Sequence, residues 1–126
     1  MKEQNFYVCK RCGNMVESLK ESGAKIICCG EPMVKLEPGT VEASVEKHVP
    51  AVTYENDIVK VEVGSVLHPM IDTHYIEWIL VRTENGEQRK VLKPGDEPKA
   101  EFCLCGDKPV AVYAYCNLHG LWKAEI

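Results

Sequence analysis

The chain has 126 residues, 45% of them hydrophobic, which supports a real core and suits one medium domain or a small domain joined to one of about 90 residues. Its formal net charge of −4 argues against non-specific nucleic-acid binding, which needs a basic face, and an anionic ligand would have to be drawn in by a local positive patch. The opening Met1-Lys2-Glu3-Gln4-Asn5 lacks the apolar core of a signal peptide. The longest apolar stretch, Tyr75 to Val81, is broken by Glu77 and is too short to span a bilayer, so a cytoplasmic protein with no membrane partner is expected.

Seven cysteines in a chain without an export signal read as metal ligands plus leftover thiol rather than as a disulfide framework. The first motif is Cys9-Lys10-Arg11-Cys12-Gly13. Two residues between thiolates let one turn present both sulfurs to one ion, and Gly13 can take the positive φ that points backbone N–H groups at sulfur. Cys28-Cys29-Gly30 supplies a second pair. Four thiolates suit tetrahedral zinc or iron, and a structural zinc ribbon is the plain alternative. The adjacency of Cys28 and Cys29 leans toward iron, because neighbouring side chains must diverge and would distort the tetrahedron. A vicinal disulfide is disfavoured in a reducing compartment. Leu36-Glu37-Pro38-Gly39-Thr40 reads as a linker, which divides the chain into 1–37 and 38–126. The first part is too small to bury much core, so it must draw on its metal, and on pairing with a second copy, for stability.

The second part reads as all-β. Val41 to Lys47 has room for a single helical turn before Pro50. Ile58 to Val63 alternates and is stopped by Gly64. Tyr75 to Thr83 is a longer strand, followed by a hairpin turn at Glu84-Asn85-Gly86-Glu87, where Asn-Gly tolerates positive φ at both central positions. Val91-Leu92-Lys93 runs into Pro94-Gly95-Asp96. Ala100 to Leu104 and Val110 to Cys116 are further strands, split by Cys105-Gly106-Asp107. Short strands with turn signals at this spacing predict an antiparallel sandwich. Cys103 alternates with inward candidates and is expected to be a buried small hydrophobe; Cys105, before Gly106, is expected to be an exposed thiol. Trp78 and Trp122 are expected in the core or the wall of a pocket.

All four histidines lie in this part: His48 in Glu46-Lys47-His48-Val49-Pro50, His68 in His68-Pro69-Met70, His74 before Tyr75, and His119 in Cys116-Asn117-Leu118-His119-Gly120. A lone loop histidine is usually solvated. Four of them on loops that one end of a sandwich can bring together, one of them three residues from a cysteine, favour a single metal site. Neutral imidazoles with one thiolate suit iron, copper or zinc. Four nitrogens in a plane with an axial sulfur would leave the opposite face open, as a catalytic site requires, and the thiolate would donate electron density as it does in some haem enzymes.

Taken together, these motifs resemble desulfoferrodoxin, the two-iron form of superoxide reductase, over essentially the whole chain. The resemblance implies a small desulforedoxin-like domain that holds one iron through Cys9, Cys12, Cys28 and Cys29, joined to an immunoglobulin-like antiparallel β-sandwich. It implies a second, ferrous iron with His48, His68, His74 and His119 equatorial and Cys116 axial, His119 binding through Nδ1 and the others through Nε2. The implied reaction is one-electron reduction of superoxide to hydrogen peroxide at the open sixth position, with electrons from a rubredoxin-type donor, in a homodimer. Glu46 and Lys47 are the implied catalytic residues. Lys47 would attract the anion and hold a water that delivers protons, and Glu46 would close onto the metal after product leaves. Outside that context, adjacent opposite charges on a loop are ordinarily just solvated. Two competing readings are an electron-transfer iron protein without superoxide chemistry of its own and a zinc-bearing binding module.

Overall fold

The structure, a computed structural model, describes residues 4–41 and 43–126. The chain divides into two compact units, one ending at Glu37 and the other running from Pro38 to Ile126.

The first unit is built on β1 (Asn5–Val8), which pairs antiparallel with β2 (Met15–Ser18) on one side and with β5 (Val34–Lys35) on the other. β1 alternates, so Phe6 and Val8 face inward; with Cys9 and Met33 they are the buried apolar side chains of this unit. That is a small core, in line with its size. β3 (Ile27–Cys28) and β4 (Glu31–Pro32) form a hairpin closed by Cys29 and Gly30. Both closing residues have positive φ, 52° and 75°, the geometry of the tight two-residue turn that matches the twist of a hairpin.

The second unit opens with the single helical turn α1 (Val45–His48), where a turn was expected. Two antiparallel sheets follow. One has the order β10-β7-β6, from β6 (Pro50–Glu55), β7 (Ile58–Val63) and β10 (Lys99–Cys103). The other has the order β12-β11-β8-β9, from β8 (Ile76–Thr83), β9 (Glu87–Val91), β11 (Pro109–Cys116) and β12 (Gly120–Glu125). Val59, Val61, Val63, Ala100 and Phe102 of the first sheet interlock with Ile76, Ile79, Val81, Val112, Ala114 and Cys116 of the second in one core. This is the antiparallel sandwich that the turn spacing predicts, and the immunoglobulin-like fold that the resemblance implies. Each fully buried Val or Ile contributes about 1.5–3 kcal/mol, so this unit carries its own hydrophobic stabilisation.

Two expectations are corrected. Cys103 is exposed, not buried: Ala100 and Phe102 occupy the inward positions of β10, and period-two alternation turns Cys103 outward opposite the exposed Ile58. The hairpin at Asn85-Gly86 forms, but neither residue has positive φ. Arg82 pairs with Glu87, so the connection is longer than the two-residue turn expected; Thr83 N–H donates to Gly86 O at 2.8 Å and Asn85 Nδ2 donates to Asp107 at 3.0 Å. β9 ends at Val91, and Leu92 follows it as a buried core residue. β6 and β12 were not foreseen. β6 is mostly exposed and carries little alternation, and β12 follows directly on the Cys116–His119 motif.

Gly64 ties the framework to the site. A Cβ on it would lie 2.5 Å from Glu46 O and 2.9 Å from Val49 O. Only glycine lets the end of β7 pass this close to α1. Val66 N–H and Ser65 Oγ then donate to Glu46 O at 3.0 and 3.1 Å, fixing the turn that carries Glu46, Lys47 and His48. Gly64→Ala is expected to lower stability by about 1–3 kcal/mol through this clash. A thermal melt of the variant reads the effect directly, and an unchanged Tm would show that the two segments have room to separate.

Candidate metal centres

In the first unit, the sulfurs of Cys9, Cys12, Cys28 and Cys29 all lie within 4.8 Å of one another. The Cys9–Gly13 turn is held by Gly13 N–H donating to Cys9 O at 2.9 Å and by Cys9 N–H donating to Asn14 O at 2.8 Å. It aims backbone donors at sulfur: Cys12 N–H to Cys9 Sγ at 3.5 Å and Asn14 N–H to Cys12 Sγ at 3.4 Å. Such N–H···S bonds favour the thiolate, and they draw the Cys9 thiol down to about 7. Cys29 is pushed up to about 12, chiefly by hydrogen bonding with Cys12 and Cys9, because four sulfurs this close cannot all ionise without a cation among them. The left-handed backbone at Cys29 shows how adjacent cysteines serve one centre, since the turn reverses the chain between the two thiols. The group fits a tetrahedral thiolate-preferring metal.

In the second unit, five side chains converge at one end of the sandwich, where β7 ends, β8 begins and β11 hands over to β12. The imidazole rings form a square. His48–His68, His68–His74, His74–His119 and His119–His48 centroids are 4.6, 4.5, 5.0 and 4.9 Å apart with nearly perpendicular planes, and the His48–His74 diagonal is 6.3 Å. His48 Nε2 lies 3.1 Å from both His68 Nε2 and His119 Nδ1, and Cys116 Sγ is 3.9 Å from His119 Nδ1. Nitrogens this close repel unless a proton or a cation lies between them.

The orientation of each ring is set from outside the square. His48 Nδ1 donates to Ser44 O and His68 Nδ1 to Pro69 O, both at 2.7 Å, which leaves each Nε2 lone pair facing inward. His74 Nε2 is buried and has no hydrogen-bond partner, an unsatisfied group that a metal would satisfy. Trp122 lies 5.0 Å from His48 and donates from Nε1 to His119 O at 3.0 Å, so it is pocket wall and positioner together.

Sequence reasoning missed Asn117. Its Oδ1 accepts from Tyr75 N–H at 2.9 Å and its Nδ2 donates to Thr73 O at 3.1 Å, clamping the chain on both sides of His74 to the loop that carries Cys116 and His119. Its place inside the Cys116–His119 motif was the available signal.

Burial favours the neutral form of His48, His68 and His74, the form that binds metal. It holds His48 and His74 below their usual value and brings His68 down to about 4. Burial likewise raises the Cys116 thiol, opposed by the backbone N–H groups of Leu118 and His119. Glu46 and Lys47 are exposed on α1, and the Lys47 charge is felt at both His48 and His74. Among the described residues, no helix is long and apolar enough to cross a membrane.

Fold and sites together define a two-unit β-protein with a four-thiolate centre in one unit and a four-imidazole, one-thiolate centre in the other. Residues 40–125 match the Desulfoferrodoxin family model and residues 1–36 match the model of the Desulfoferrodoxin N-terminal domain. The chain belongs to the desulfoferrodoxin family. It is 50% identical over 123 residues to a desulfoferrodoxin from Nitratidesulfovibrio vulgaris, covering 98% of this chain and 97% of that one. It is 39% identical over 99 residues to a superoxide reductase from Pyrococcus horikoshii, covering 64% of this chain and 86% of that one. The crystal structure of the superoxide reductase from Treponema pallidum superposes with a TM-score of 0.82 at 34% identity, covering 98% of both chains.

The depressed imidazoles give the metal-free protein a defined pH dependence. Between about 4 and the ordinary histidine value near 6.5 the unfolded chain binds more protons than the folded one, so stability falls as pH drops through that window. Urea unfolding midpoints of the metal-free chain should decline across it; a flat profile would mean that the rings are not held neutral.

Proposed function

We propose that this chain is a superoxide reductase, an enzyme that reduces superoxide to hydrogen peroxide by one electron. The observation that carries the reading is the square of imidazoles with a single sulfur. Four nitrogens and one thiolate make five donors, and a metal held by them could keep a further position free for a substrate. In this reading one iron would be held by Cys9, Cys12, Cys28 and Cys29 and the catalytic one by His48, His68, His74, His119 and Cys116. The family membership and the superoxide reductases among the similar chains support it. When bound, the second iron supplies the electron that superoxide takes up.

The chain's own residues supply the rest. The hydrogen bonds to Ser44 O and Pro69 O hold His48 and His68 in the binding tautomer, and the Asn117 clamp holds His74 in place. Lys47, next to His48 on an exposed turn, offers a positive charge to an anion approaching an otherwise acidic protein. Its ammonium can hold a water that donates the protons peroxide needs. The Glu46 carboxylate, one residue away, can approach the vacated position once product has left. A small rubredoxin-type redox protein as electron donor, a homodimeric assembly and a cytoplasmic setting complete the proposal.

Superoxide consumption matched by peroxide release is the direct test. Peroxide no faster than spontaneous dismutation would leave the electron-transfer reading in its place. Cys116→Ser should remove the sulfur-to-iron absorption band together with most activity, and an unaltered visible spectrum would mean that Cys116 is not a ligand. Lys47→Ala should slow superoxide capture on the order of tenfold at low salt and flatten its salt dependence. Retention of the full salt dependence would show that attraction arises elsewhere.

A further inference from the structure

Cys103 and Cys105 lie outside both metal clusters, and both are exposed. They sit at the pole of the sandwich remote from the imidazoles. Cys103 pairs with Ile58 at the start of β7, whereas the end of β7, at Val63, leads into the segment that carries His68. Leu104 between them is buried in the core, so the two thiols share the outward face. Cys105 and Gly106 take φ of 53° and 87°, and Asp107 N–H closes the turn on Leu104 O at 3.1 Å. One residue apart on that face, the two thiols lie near enough to affect each other, and Cys103 is the chief cause that raises the Cys105 thiol.

The turn is held from three directions. Both Asp57 carboxylate oxygens accept from Gly106 N–H at 3.0 Å, Asp57 O accepts from Leu104 N–H at 3.0 Å, and Gln88 Nε2 donates to Cys103 O at 2.9 Å. An exposed, pre-positioned dithiol is the arrangement that peroxide oxidises to a disulfide.

We propose that Cys103 and Cys105 are a reversible redox modification site, closing to a disulfide when hydrogen peroxide accumulates. Only the source of that peroxide rests on the superoxide reductase reading. The Cys103 thiolate attacks one peroxide oxygen and the O–O bond breaks, leaving a sulfenic acid on Cys103 and a hydroxide that takes a proton. Cys105 sulfur then attacks the Cys103 sulfur, the S–O bond breaks, and the proton of the Cys105 thiol leaves with the departing oxygen as water. Two thiols and one peroxide become one disulfide and two waters, with both electrons coming from the dithiol. A disulfide spanning a single residue is strained, which makes it easily reopened by a dithiol reductant.

The test uses the metal-loaded full chain in two arms, one given hydrogen peroxide and one given a superoxide source with reductant. Cleavage before Asp96 and Asp107 frees residues 96–106, in which Cys103 and Cys105 are the only cysteines. That fragment should lose about 2 Da in both arms and regain it with a dithiol reductant. Cys105→Ser should lose the response and leave a trappable sulfenic acid on Cys103. Two free thiols after added peroxide, oxidation straight to sulfinic acid without a disulfide, or a third metal per chain that Cys103→Ser abolishes would each overturn the proposal. A disulfide formed with added peroxide but not in the superoxide arm, while peroxide is released there, would overturn self-supply. Absence of released peroxide in that arm would count against the reductase reading instead, and the first arm would still decide the dithiol.

Discussion

Everything at the working end of the second unit depends on one electrostatic constraint. Four imidazoles turn ring nitrogens toward a common point, with His48 Nε2 3.1 Å from two of its neighbours. Without a cation the arrangement is mutually repulsive, and it leaves His74 Nε2 buried and unsatisfied. Protonating one ring relieves one contact but puts charge into a desolvated site, and the depressed His68 shows that burial opposes this. A divalent metal relieves every contact at once. The site is therefore built for a state in which metal is part of the fold.

Holding such a site open requires a frame that does not depend on it. The sandwich provides one, because its core is filled from both sheets. The candidate ligands hang from the ends of that frame: His48 on the turn before β6, His68 and His74 on the connection from β7 to β8, and Cys116 and His119 at the β11–β12 turn. Two local devices convert loop ends into fixed positions. Gly64 lets β7 pass against α1, and Asn117 ties the chain around His74 to the turn after β11. The first unit lacks this division of labour. Its few buried side chains include Cys9, itself part of the sulfur cluster, so centre and core are the same object there.

What was legible in the sequence follows from this architecture. The candidate ligands could be picked out because metal chemistry admits few residue types at few spacings, and the structure brings each candidate group together; strands such as Ile58–Val63 were readable because a half-buried strand must alternate. Asn117 was not, since its role lies in hydrogen bonds to residues more than forty positions away, which no local pattern encodes. Cys103 was misread because alternation fixes which residues share a face but not which face is inside; that was decided by Phe102 and its partner strand. The Asn85-Gly86 turn kept its place and lost its expected geometry because Asp107, from a distant turn, captures the Asn85 side chain.

The charge of the protein fits the same picture. A formal charge of −4 would repel an anion from most of the surface, and such repulsion is useful where indiscriminate contact with an oxidising anion is harmful. A lysine beside the site then does more than it would on a basic protein, because it locally offsets the net negative charge. Lys47 occupies that place on a turn pinned through Glu46 O to the loop after β7, and its charge reaches His48 and His74. The pinning matters as much as the charge. Pinning fixes the Lys47 backbone beside His48, so the charge stays close enough to be felt at His48 and His74 whichever rotamer the exposed side chain takes.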